Sequence, residues 1–182
     1  MLLDTPICNF GWKAPDFVLN DAYGECYAMQ DYLGDKGLLI AFISNHCPYV
    51  QKIGERLAAD TQLLMDEGVG VLAIMSNDYQ RVKEDSPENM KHFARRYGFT
   101  FPYLVDADQS AGRNYGAVCT PDFFGLNAHG ELQYRGRLDD ARMGDEKDRK
   151  PELLNAMRLI AKTGMGQRRQ APSMGCSIKW RE

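Results

Sequence analysis

Histidine is scarce in this chain: three among 182 residues, at His46, His92 and His129, too scattered to suggest a shared metal ion. Neither paired Cys-x-x-Cys nor His-Glu-x-x-His spacing occurs, so a metal centre has no support and no cofactor is expected. No apolar run approaches the roughly 20 residues that a membrane-spanning helix needs, so a membrane is not an expected partner. The opening MLLDTPICNFGWKAPDF lacks the basic and sustained apolar stretches of a secretory leader, which makes the cytoplasm the expected location. An excess of positive charge is also missing. With 22 Lys and Arg against 25 Asp and Glu, the net charge of -3 offers no electrostatic footprint for nucleic acid. Repeats and low-complexity segments are absent, which excludes solenoids and linker-rich architectures. The length and a 44% hydrophobic content suit one α/β domain over residues 1–182 with an ample core.

Five cysteines are present, Cys8, Cys26, Cys47, Cys119 and Cys176. In a reducing compartment they point to catalysis, redox sensing or plain burial before a disulfide framework, and the odd count leaves at least one unpaired in a monomer. One of them stands apart by position. Leu38–Val50, LLIAFISNHCPYV, runs an unbroken apolar strand into Cys47 and Pro48. A strand without alternation suits the middle of a sheet covered on both faces, and proline is favoured at the first position of a helix. Cys47 is therefore expected at a helix N-terminus, where unpaired N–H groups and the positive end of the macrodipole favour a thiolate nucleophile. A buried free cysteine is often no more than a small hydrophobe, but its position favours the reactive reading. His46 beside it would favour the thiolate further as an imidazolium if its ring turns that way; facing the surface is the even alternative.

Around that turn the chain reads in order. Residues 1–13 carry no period and are expected to form an irregular lead-in over a sheet edge. Phe17–Leu19 and Cys26–Met29 flank the turn formers of Asn20–Gly24 as a hairpin. Val50, Ile53, Leu57, Leu64 and Met65 trace the face of a helix ending near Gly68, and Val69–Met75 is a second buried parallel strand. Ser86 as N-cap, Pro87, then Met90, Phe93, Ala94 and Tyr97 before Gly98 mark the clearest helix, with His92 and Arg95-Arg96 on its solvated side. Phe101–Val105 is a short strand interrupted by Pro102, and Gln109–Tyr115 a short helix stopped at Gly116. Phe123–Leu126 and Glu131–Arg135 form a hairpin around Gly130. The mixed charges of Asp139–Lys150 read as a solvated loop, Pro151 opens a last helix through Ala161, and residues 164–182 form a Gly/Pro-punctuated tail. Parallel βαβ followed by an antiparallel hairpin and a closing helix calls for a mixed sheet flanked by helices.

Three motifs in this order resemble the thioredoxin-like redoxin family that includes the alkyl hydroperoxide reductase and thiol-specific antioxidant proteins. Ala14-Pro15-Asp16-Phe17 is similar to the family's opening, Ser44-Asn45-His46-Cys47-Pro48 to its active-site turn, and Thr120-Pro121 to its cis-proline loop. Pro172–Trp180 also resembles the ending of a little-characterised bacterial subgroup. The resemblance implies a thioredoxin-like fold with a core over 14–163, an N-terminal hairpin extension and the tail at 164–182. It also implies Cys47 as nucleophile with Ser44, Thr120 and Pro121 around it. Two departures affect mechanism. The thioredoxin motif would place a second cysteine where Val50 stands, and a peroxiredoxin motif would place proline at Ile40 and threonine at Ser44. Arg113, Arg135 and Arg137 are the candidates for a cation near the thiol.

A thiolate without a neighbouring partner forms a sulfenic acid or mixed disulfide and needs a second thiol to turn over. Cys119, one residue from the presumed cis-proline, is expected to resolve Cys47 ahead of Cys176, although a buried strand cysteine is an equal alternative. Cys176, on the tail, could reach its own or a neighbouring subunit, which leaves room for a homodimer; its alternative is a docked terminus held by Ile178 and Trp180. The expected function is a thiol-dependent oxidoreductase of antioxidant type, acting on a disulfide or a peroxide and served by a thioredoxin- or glutathione-like thiol reductant. The competing class is a non-catalytic thioredoxin-fold binding module, which Val50 keeps open.

Overall fold

Continuous apolar strands need cover on both faces, and the computed structural model, which describes residues 1–182, supplies it. The elements follow as β1 (Leu2–Asp4), β2 (Val18–Asp21), β3 (Cys26–Ala28), α1 (Met29–Tyr32), β4 (Leu38–Phe42), α2 (Pro48–Asp66) and β5 (Gly70–Met75). A 3-10 turn at Lys83–Asp85 precedes α3 (Pro87–Tyr97), β6 (Tyr103–Val105), α4 (Ser110–Tyr115), β7 (Cys119–Thr120), β8 (Asp122–Leu126), β9 (Leu132–Tyr134), α5 (Glu152–Thr163) and β10 (Met174–Ser177). Seven strands form a mixed sheet in the order β3-β2-β6-β5-β4-β8-β9. Its β4–β5 and β5–β6 pairs are parallel and the others antiparallel.

The lack of alternation in β4 has a direct cause. Leu39 and Ala41, with Ile43 just beyond the strand, pack with residues of α2, α3 and α5 on one face, while Leu38, Ile40 and Phe42 pack with residues of α1 and α4 on the other. Strand β5 divides the same way, Val71, Ala73 and Met75 against Leu72 and Ile74. The two strands thus form the wall between two apolar layers, and the turn after β4 leaves from the middle of the sheet. Ser86 caps α3 by accepting from the Asn89 N–H at 3.3 Å, and Gly98 ends it at φ 71°. Pro102 stands just ahead of β6, outside the ladder it could not join.

The N-terminal hairpin extends the main sheet: β2 pairs with β6 and makes β2–β3 its edge. Three regions depart from the sequence expectations. The lead-in is not wholly irregular, and the tail is not loose. β10 lies between β1 and β7 in a second, three-stranded sheet, with Leu2 opposite Cys176 and Cys176 opposite Thr120. Both strands are too short to show a period, and each exists because the other supplies its hydrogen bonds. The charged loop, finally, is not simply solvated. Its Asp139 is buried, taking Arg56 Nε at 2.7 Å and Arg149 Nη1 at 3.3 Å, because a guanidinium as buried as Arg56 needs a counter-charge.

Candidate active site

Cys47 is the N-cap of α2, extended at φ -71° and ψ 118°, and Pro48 takes the first helical position. Its carbonyl accepts the first helical bonds, from the N–H groups of Val50 and Gln51 at 3.1 and 3.0 Å. The Cys47 side chain itself caps no first-turn N–H. The side chain is fully buried, and its Sγ donates to the Thr120 carbonyl oxygen at 3.1 Å. The Thr120–Pro121 peptide is cis. Ser44 and Thr120 share a hydroxyl–hydroxyl bond of 3.0 Å, so Ser44, Cys47, Thr120 and Pro121 do gather at one place.

A residue that sequence reasoning missed holds this turn. The buried carboxylate of Asp85 accepts from the backbone N–H groups of Asn45 at 2.7 Å and His46 at 3.2 Å. It also bonds His46 Nδ1 at 2.6 Å and Asn77 Nδ2 at 2.8 Å. Burial alone would raise the Asp85 carboxyl, but hydrogen bonds from His46 and Asn77 outweigh it and hold it below the ordinary carboxylate range. An ionised carboxylate only accepts, so His46 carries a proton on Nδ1 and its ring is turned to Asp85. Asn45 completes the clamp by accepting from the Tyr103 hydroxyl at 2.9 Å. Burial, then the nearby Asp85 and Cys47 charges, push that phenol well above its usual range, so it stays a donor. Nothing in the sequence singles out Asp85 among 25 acidic residues; the only local signal was spent on Ser86, its neighbour and the visible helix cap.

The three candidate arginines are occupied elsewhere. Arg135 binds Asp122 through Nη2 at 2.9 Å, Arg137 forks onto Glu152 at 2.7 and 2.9 Å, and Arg113 lies over the Trp180 ring. Of the two candidate partner thiols, Cys119 is buried, with Sγ directed to the Pro121 carbonyl at 3.6 Å. Burial and then the Asp122 charge push its thiol far up. Cys176 is half-buried, packs against the apolar cluster that contains Cys47, and stands opposite Thr120, whose carbonyl takes the Cys47 thiol. Burial first, then the neighbouring Cys47 side chain, raise its thiol to about 11. The order expected from sequence, Cys119 before Cys176, is not the one the register favours: Cys176, and not Cys119, stands opposite Thr120. The expectation assumed a tail that must be drawn in, whereas β10 is already docked on β7. Beside the site, Tyr49, Ile53, Pro121, Leu138, Pro172 and Met174 line a largely apolar recess, which Arg137, Asp139 and Arg142 also border. No group of three or more His, Cys, Asp or Glu side chains is arranged to hold a metal ion.

A mixed sheet with a cysteine heading the helix after its central strand, faced by a Thr-Pro turn, defines a thioredoxin-like fold. The chain belongs to the AhpC/TSA family, whose model matches residues 10–135. A hypothetical protein from Sinorhizobium meliloti has a similar solved structure, with 41% identity, TM-score 0.91 and coverage of 98% of this chain and 97% of that one. An uncharacterized conserved protein from Geobacillus kaustophilus matches at 36% identity and TM-score 0.93 over 100% and 97% of the two chains. The thiol-disulfide oxidoreductase ResA of Halalkalibacterium halodurans is 27% identical over 130 residues, 71% of this chain and 69% of ResA. Together these similarities support a thiol-dependent oxidoreductase role.

Proposed function

We propose that this protein is a thiol–disulfide oxidoreductase in which the Cys47 thiolate attacks a substrate disulfide. The observation that carries the reading is the seat of Cys47: N-cap of a long helix, sulfur against Thr120, beside an apolar recess that reaches Pro121. A sulfur so placed can lose its proton and keep the charge at the helix N-terminus, and attack forms a Cys47 mixed disulfide while one substrate thiolate leaves. The recess gives a peptide or organic disulfide an apolar surface to lie on; hydrogen peroxide, small and polar, has no use for it. The peroxide reading is less well supported because Arg113, Arg135 and Arg137 are all engaged and the Ser44 hydroxyl is paired with Thr120. An external thiol reductant returns the enzyme to its starting state.

The reduced protein should be mixed with one equivalent of oxidised glutathione or of hydrogen peroxide and the modified cysteine mapped by mass spectrometry. Loss of the free Cys47 thiol with release of glutathione, absent in Cys47→Ser, is the expected result. Oxidation of Cys47 by peroxide alone would make the protein a peroxidase. No reaction at Cys47 with either reagent would leave the binding-module reading in possession.

A further inference from the structure

Cys47 is fully buried, whereas Cys176, opposite Thr120 on β10, is only partly so. We propose that Cys176 is the second redox sulfur of this site, closing a disulfide with Cys47 in the same chain, and that this disulfide is opened from outside at Cys176. The proposal rests on Cys47 being the nucleophile.

Register places the sulfur. Cys176 stands opposite Thr120, the residue whose carbonyl takes the Cys47 thiol, and cross-strand partners share a face. Cys119 stands opposite Ser177, one step along, and successive residues of a strand face opposite ways. The approach is close enough to need glycine: a Cβ on Gly175 would meet the Thr120 carbonyl oxygen at 1.8 Å. Beyond Cys176 the chain is tied to the loop after β5. The Lys179 N–H donates to Asn77 Oδ1 at 2.7 Å, and the Lys179 carbonyl accepts from the Asp78 N–H at 2.8 Å and from Gln109 Nε2 at 2.9 Å. Asn77 thus holds Asp85, and through it the Cys47 turn, with one end of its amide, and the Cys176 segment with the other. Both sulfurs are positioned by one side chain, so closing the bond requires no tail to be recruited.

The chemistry then runs in two halves. The Cys176 thiol loses its proton and attacks the Cys47 sulfur of the mixed disulfide; the bond to the substrate sulfur breaks, and the departing thiolate takes up a proton. Two electrons have passed from the cysteine pair to the substrate, which leaves as two thiols. In the second half a dithiol reductant attacks the less buried member, Cys176, and Cys47 leaves as a thiolate at the helix N-terminus. The reductant's second thiol then displaces Cys176, and the reductant departs as a disulfide. A CxxC shuttle keeps both sulfurs on one helix turn. Here Val50 fills that position, and a strand from the far end of the chain supplies the second sulfur.

The test compares wild type, Cys176→Ser and Cys119→Ser after one equivalent of oxidised glutathione, by non-reducing peptide mapping and a count of glutathione released. Wild type and C119S should yield an intrachain Cys47–Cys176 crosslink and two glutathione thiols per chain. C176S should stop at a glutathione mixed disulfide on Cys47 with one released. A Cys47–Cys119 crosslink, a Cys47–Cys176 crosslink joining two chains, or a wild type that stops at the mixed disulfide would overturn the proposal while leaving Cys47 as nucleophile. Failure of Cys47 to react in wild type and C176S alike would instead remove the reading on which the proposal rests.

Discussion

Two buried carboxylates sit beside α2 and do different things. Asp139 answers guanidinium groups: Arg56 binds it through Nε and Nη2 at 2.7 and 3.2 Å, and Arg149 bridges it to Asp60. Its cluster ties the 139–150 loop to the flank of the helix. Asp85 has no guanidinium partner. It accepts two backbone N–H groups of the turn that carries Cys47, one imidazole and one amide. The difference teaches that burial and charge do not by themselves mark a reactive site. What marks it is whether the donors belong to the backbone of the segment that must be held still, since only those fix where a reacting atom sits.

The largest effect should come from Asp85→Ala. It strands two backbone amides, an imidazole and an Asn side chain at once; with about 1–3 kcal/mol for each buried donor left unpaired, a loss of about 3–5 kcal/mol follows. A drop of that size in a denaturant titration is expected, with Cys47 alkylation altered in rate because its turn loses its anchor. Arg56→Met should be milder. Asp139 keeps Arg149 and the unsatisfied groups cost about 1–3 kcal/mol, while Cys47 alkylation stays at the wild-type rate. If R56M shifts the alkylation rate as much as D85A does, the contrast between the two clusters collapses into general softening of the fold.

The same contrast explains what could be read without coordinates. The Leu38–Val50 stretch disclosed both the central strand and the cysteine at the helix head, because each is encoded locally, in an unbroken apolar run and a proline. Ser86, Pro87 and Gly98 disclosed α3 for the same reason. What stayed hidden depends on partners distant in sequence. β10 is a strand only because Leu2–Asp4 and Cys119–Thr120 flank it, and Gly175 reads as a flexible tail residue until the Thr120 carbonyl is found against it. Asp139 and Asp85 were likewise invisible as a pair of opposites. A charge-rich segment looks solvated unless Arg56 is known to be buried beneath it, and an aspartate before a helix cap looks like turn chemistry.

The smallest predicted effect is the most specific to Asp85. Its carboxyl is held below the ordinary range in the folded protein, while in the unfolded chain it titrates near the usual value of about 3.9. A carboxyl with a depressed folded value stabilises the fold fully at pH above the unfolded value. As pH falls the unfolded chain takes up the proton first, and the contribution drains away until the folded value is passed. Asp85→Asn keeps the volume and one acceptor oxygen but cannot titrate. It should therefore be less stable than wild type at neutral pH, and the gap should narrow as pH falls below about 4, because wild type alone loses the Asp85 contribution there. Thermal melts of the two proteins from pH 7 down to the acid limb would measure it. A gap that stays constant through the acid limb would mean that the anchor of the Cys47 turn acts through shape and hydrogen-bond count, with its charge contributing nothing.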